Sequence, residues 1–267
     1  MSKYVFAALF LMTASVATAQ IDCDTQMFAL STSGEIFSID LATGNLTSLG
    51  NLPSTATEIE ASGGASDLVW ADSSINSDDT WTADPTNGFA VINTFTGPTG
   101  ALTGLEFANG ILYGTRSTSA MGGSTLGTVN TTTGAFTAIG ATGRNEPISG
   151  LAYDTNTGTM YGVTAGGGVA DLVTLDLVTG TATIVESTGT TFIGSIEFAP
   201  NGTLYGVTTS SANNNSQSLI TIDTTTAVVT GVGFSGASMS GLTSCVPPLF
   251  ADGFESGDTS AWSQTVD

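Results

Sequence analysis

Three glutamates, Glu60, Glu106 and Glu197, stand on segments that recur along the chain, on or near what the repeat makes its innermost strands. Carboxylates gathered around a central channel could act as acid and base at a glycosidic bond if their separation fits, or could bind a cation. Bonds to neighbouring backbone N–H groups or to water are their plainer role. A second acidic set, Asp72, Asp78, Asp79 and Asp84, surrounds Trp81 with Asn76 in one stretch. Oxygen ligands of this kind could hold Ca²⁺, the one cofactor the sequence suggests, and an exposed Trp81 could stack on a sugar or a partner. Their spacing does not match an EF-hand loop, and a solvated acidic loop is the alternative.

Residue types that are missing narrow the chemistry further. The chain has no histidine, which removes the usual general base and every Ser-His-Asp or Cys-His arrangement. Its only lysine is Lys3, and beyond it the basic residues are Arg116 and Arg144. Lysine nucleophiles and Schiff bases are thereby excluded once the first residues are removed, leaving carboxylate chemistry alone. A formal charge of −20 repels nucleic acid and anionic lipid, whose binding depends on Lys and Arg. Neutral or cationic ligands, a glycan or a protein, remain as partners.

The first residues predict export. A charged start is followed by an apolar run from Tyr4 to Met12 and by Ala17-Thr18-Ala19, which read as a signal peptide over 1–19. No later run approaches the ~20 apolar residues of a membrane helix. A secreted chain, extracellular or periplasmic, is the expectation.

The elements that would position these carboxylates show as a repeat. Met27-Phe28-Ala29, Val69-Trp70-Ala71, Leu112-Tyr113-Gly114, Met160-Tyr161-Gly162 and Leu204-Tyr205-Gly206 recur at intervals near 45 residues, the size of a four-stranded propeller blade. Hairpin signals follow at Asp40, Asn130, Asp176 and Asp223, each with Thr three residues on and then Gly, except that Ala227 stands in the last. Ala227 implies either strain of ~1 kcal/mol or another turn. Thr103-Gly104-Leu105, Ser149-Gly150-Leu151, Gly194-Ser195-Ile196 and Ser240-Gly241-Leu242 mark innermost strands, the last with no strand behind it. The expectation is an all-β, five-bladed β-propeller over 21–245, its ring closed by strands from both ends of the chain. Cys23 and Cys245 flank that closure and are expected to form a disulfide, worth roughly 5 kcal/mol in the chain-entropy model.

The repeats of residues 24–244 resemble those of secreted bacterial β-propeller proteins, a likeness that implies architecture more than activity. Phe250 to Ser263, with Asp252-Gly253-Phe254-Glu255-Ser256-Gly257-Asp258, is similar to a motif of exported bacterial proteins, and 246–267 is expected to be a flexible tail. The function expected is non-catalytic recognition of a glycan, protein or envelope component through loops on one face. The alternative is a carboxylate-dependent glycoside hydrolase or lyase using Glu60, Glu106 and Glu197.

Overall fold

The computed structural model describes residues 25–244, except 32, 53–57, 62–67, 72–78, 85–89, 97–100, 118–121, 166–167, 209–217, 235 and 237–238; over 53–101 it describes backbone alone. Residues 1–24, the Cys23–Cys245 bridge and the tail lie outside the described residues.

Every described element is antiparallel β. The first sheet joins β1 (Gln26–Ser31), β2 (Glu35–Asp40) and β3 (Leu46–Asn51) to β20 (Met239–Ser244), the order being β20-β1-β2-β3. A strand from one end of the chain thus pairs with one from the other, Met27 opposite Ser244 and Ala29 opposite Leu242. Three further sheets run in chain order: β8 (Ala101–Ala108), β9 (Ile111–Ser117), β10 (Ser124–Val129), β11 (Phe136–Ala141); β12 (Ile148–Asp154), β13 (Thr159–Thr164), β14 (Val169–Leu175), β15 (Ala182–Thr191); and β16 (Ile193–Phe198), β17 (Leu204–Thr208), β18 (Ser218–Ile222), β19 (Val229–Phe234). These four are described down to their side chains. β4 (Glu58–Ala61), β5 (Leu68–Ala71), β6 (Asp79–Asp84) and β7 (Ala90–Thr96) pair as another four-stranded sheet. Their inner strands contact one another in the cyclic order β20, β4, β8, β12, β16 and back to β20.

The expectation of a five-bladed propeller needs correction: four blades share one register and are described with their side chains. In those four, a radial row crosses the sheet: Thr243–Phe28–Ser38–Thr47, Glu106–Tyr113–Thr128–Thr137, Ala152–Tyr161–Thr174–Thr183 and Glu197–Tyr205–Thr221–Thr230. The β4–β7 row reads Ile59–Trp70–Trp81–Thr94. An aromatic replaces the hydroxyl residue of the third strand. Asn93 lies within the fourth strand, β7.

Apolar residues from both faces of the strands build the core between sheets. Leu126, Ile148 and Val173 share one buried cluster, and Val163, Ile196 and Ile220 another. At about 25 cal/mol per Å² this buried surface is the main stabilising term.

Two devices fix the spacing of neighbouring sheets. The hydroxyl-Gly pair of the inner strand is the first. Thr103 Oγ1 donates to the carbonyl of Ile148 at 2.6 Å and Ser149 Oγ to that of Ile193 at 2.9 Å, each reaching the next inner strand. The adjoining glycine permits the approach, since a Cβ on Gly150 would stand 2.8 Å from Ser195 Cα and Ile196 N. Replacing Ser149 by Ala is expected to cost about 1 kcal/mol, read as a lower urea midpoint at unchanged slope. A neutral result would show that the hydroxyl does not tie these strands.

The second device is the turn between third and fourth strands. Asp176 Oδ1 accepts the N–H groups of Val178 and Thr179, both at 2.8 Å, and the N–H of Gly180 donates to the Asp176 carbonyl at 2.8 Å. Asp40, Asn130 and Asp223 repeat the arrangement. Bonds from Thr43, chiefly its hydroxyl, hold the Asp40 carboxyl below its ordinary range, and N–H groups of Thr179 and of Thr226 do the same for Asp176 and Asp223. Ala227 keeps the turn, with φ 53° and its N–H on the Asp223 carbonyl at 2.8 Å. Of the two sequence alternatives, the structure therefore has the strained one, offset by burial of its methyl beside Val185 and Val229.

Candidate functional site

Glu106 and Glu197 hold the same register position on β8 and β16, opposite Tyr113 and Tyr205. These inner strands are separated on one side by β12, which carries Ala152 there. A small residue between them leaves room for the two longer side chains to meet. Their carboxyls are hydrogen-bonded to one another, and the Ser244 hydroxyl of β20 and the N–H of Phe198 also donate to Glu197. Both glutamates are 5% exposed.

A carboxyl–carboxyl hydrogen bond requires a proton on one partner. Loss of hydration on burial is the largest influence on Glu197 and outweighs the three hydrogen bonds, pushing it up to about 8 from 4.5. Oε2 of Glu197 is buried with no hydrogen-bond partner among the described residues.

This contact bears on the catalytic alternative. Carboxyls that cleave glycosidic bonds stand about 5–5.5 Å apart when one is a nucleophile and about 6.5–9.5 Å apart when a water must fit between them. Groups in direct hydrogen-bonding contact leave no place for a sugar carbon or an attacking water.

Glu60 does not share their position. It pairs with Val69, whereas Ile59 pairs with Trp70 and so takes the place corresponding to Glu106 and Glu197. Two of the expected calcium ligands also separate. Asp79 and Asp84 are the first and last residues of β6, so the strand rise puts them about 17 Å apart, too far to share one ion. Asp72 and Asp78 lie outside the described residues. Trp81 belongs to β6, paired with Trp70 and Thr94, not to a loop.

Sequence reasoning missed two groups. Ser244, last residue of the closing strand, donates to Glu197; its place after Ser-Gly-Leu-Thr was the available signal. Arg144, between β11 and β12, pairs with Asp171 of β14 at 3.0 Å and Glu146 at 3.4 Å. Arg116 lies over the Phe136 ring, 4.8 Å from its centre. Both arginines are thus engaged within the fold. At the opposite end, the turns of the β16–β19 blade line an open groove of about 580 Å³, with Thr203, Thr221, Asp223, Thr226 and Val228 on its walls. Among the described residues no helix is long and apolar enough to cross a membrane.

No family model matches the chain, and no curated protein matches it by sequence. Among solved structures, a chain of a nidogen/laminin complex superposes with a TM-score of 0.55 at 14% identity, over 83% of this chain and 98% of that one. The chain has a β-propeller fold.

Proposed function

We propose that this propeller is an exported, non-catalytic recognition protein that holds a neutral or cationic partner with the loops at one end of the blades. The observation that carries the proposal is the state of Glu106 and Glu197: the two carboxyls best placed for catalysis are buried and occupied with each other. Charge narrows the partner. With −20 overall and Arg116 and Arg144 engaged internally, the surface favours amines or uncharged polar groups over phosphates or acidic sugars. The similar structure contains a complex with a partner protein, which supports a protein as the partner class.

The full chain is incubated with chitosan, neutral glucans and pectate, and with a lysine-rich protein, recording both depletion of the chain and new sugar ends. Retention by the cationic materials, weakened by salt, without new reducing or unsaturated ends is the expected result. A Glu106→Gln/Glu197→Gln variant should be retained equally. Turnover by the native chain that the double variant lacks would establish the hydrolase or lyase alternative instead.

Export also predicts the bridge. We expect Cys23 and Cys245 to be oxidised to one another, because in sequence each lies within four residues of the paired Met27 and Ser244 and export favours the bridge. Non-reducing peptide mapping should find the linked pair. Two free thiols in the secreted chain would refute it.

A further inference from the structure

Buried oxygen atoms without a partner call for a proton, a water or an ion to satisfy them. Oε2 of Glu197 is such an atom, on a side chain 5% exposed. It belongs to one of two carboxyls that converge from non-adjacent inner strands, beside a hydroxyl donated by a third, β20. We infer that the propeller axis is a binding site for one hard divalent cation, calcium by its ligand chemistry, held between the carboxylates of Glu106 and Glu197 with Ser244 as a neutral ligand.

The ligand set argues for calcium. All three groups offer oxygen, which excludes the softer metals that want sulfur or imidazole. Calcium accepts six to eight oxygens at about 2.3–2.6 Å in variable geometry, while magnesium demands a near-ideal octahedron. Two carboxylates supply up to four oxygens and the hydroxyl a fifth, so the two side chains must part on binding to admit the ion and the water that completes its shell. The exchange balances simply: the cation enters and the proton held by the pair leaves to solvent. Two negative charges that repel one another without the proton are then neutralised by the ion. This site differs from the acidic stretch around Trp81, whose Asp79 and Asp84 cannot meet on one ion.

The inference goes beyond the recognition proposal; both rest on the Glu106–Glu197 contact, but this one is read by calcium binding and not by partner retention. The full chain, stripped with chelator, is titrated with calcium by equilibrium dialysis and by thermal melting. One calcium per chain, with a raised melting temperature, is expected. Glu106→Gln/Glu197→Gln should weaken binding at least tenfold, whereas Asp72→Asn/Asp78→Asn/Asp79→Asn/Asp84→Asn should leave it unchanged. Absence of saturable binding at millimolar calcium, or loss in the aspartate variant with retention in the glutamate one, would overturn the site.

Terbium gives a readout that does not require the glutamate variant to fold. Tyr113 and Tyr205 stand directly opposite Glu106 and Glu197, so they should sensitise emission from an ion at the axis. Tyr113→Phe/Tyr205→Phe should lose most of that emission while still binding terbium, and calcium should displace it in the parent chain. Emission unchanged by the tyrosine substitutions would put the ion elsewhere and refute the inference.

Discussion

In chelator, the chain should lose stability as pH rises from about 4.5 to 8 and then level off, and Glu197→Gln should remove most of that slope. The sign follows from linkage. Glu197 ionises near 4.5 when exposed in the unfolded chain but near 8 when buried, so between those values the unfolded state binds fewer protons. Its contribution is complete below 4.5, falls through the window, and is fully lost above the folded value. A displacement of this size corresponds to on the order of 5 kcal/mol. For a chain of this length that is about 10 °C in melting temperature. General self-repulsion among acidic groups also grows with pH, but it would survive in Glu197→Gln, which keeps the shape and stays neutral. Equal slopes for parent and variant would contradict the burial argument. Below pH 4 the sign reverses, because Asp40, Asp154, Asp176 and Asp223 all ionise below their ordinary 3.8 in the fold. Burial opposes that shift at Asp154 but is outweighed by hydrogen bonds from Thr157 and Asn156.

Gly233→Ala should destabilise the fold by about 3 kcal/mol, the upper range of overpacking, while Gly231→Ala on the same strand should be close to neutral. A Cβ on Gly233 would run into the carbonyl oxygen of Thr43, at the seam where β19 meets the turn of the first blade. That turn cannot retreat easily, since Asp40 Oδ1 accepts the Thr43 N–H at 2.8 Å and its hydroxyl at 2.7 Å. Around Gly231 nothing lies within 4 Å of an added Cβ. Urea midpoints of the two variants decide the matter: similar values would mean that the seam is not tightly packed. Gly140 meets the carbonyl of Thr179 in the same way at another seam. On β15 the corresponding residue, opposite Leu172, is Glu186, and the next turn has Ala227 in place of glycine. The departures thus fall together on one seam.

Much of this arrangement was legible in the residues because each repeat signal has a local cause. The aromatic is bracketed by strand residues, and Asp or Asn followed by Thr three residues later closes a turn with its own side chain. Pairing of β20 with β1 could be read because an inner-strand motif occurs near one end of the chain and is missing at the other. The shared place of Glu106 and Glu197 in that motif corresponds to one register position. Glu60 lies one residue off it, because register in β4 and β5 is set by pairing, which spacing alone does not reveal. The acidic stretch looked like a loop because aspartates disfavour strands, yet Asp79-Thr80-Trp81-Thr82-Ala83-Asp84 alternates β-branched and aromatic residues inside them. The recurrence of Gly140 and Gly233, each four residues into the outer strand, carried the seam packing unnoticed.

Contact between Glu106 and Glu197 underlies both the non-catalytic proposal and the calcium site, and carboxyl ¹³C NMR reads it most directly. With glutamate labelled and calcium removed, the account predicts a resonance, assigned through Glu197→Gln, that titrates near 8 and shifts when Glu106 is replaced by Gln. A Glu197 signal titrating near 4.5 and indifferent to Glu106→Gln would contradict it, and would return these carboxylates to solvent and to candidacy as catalysts.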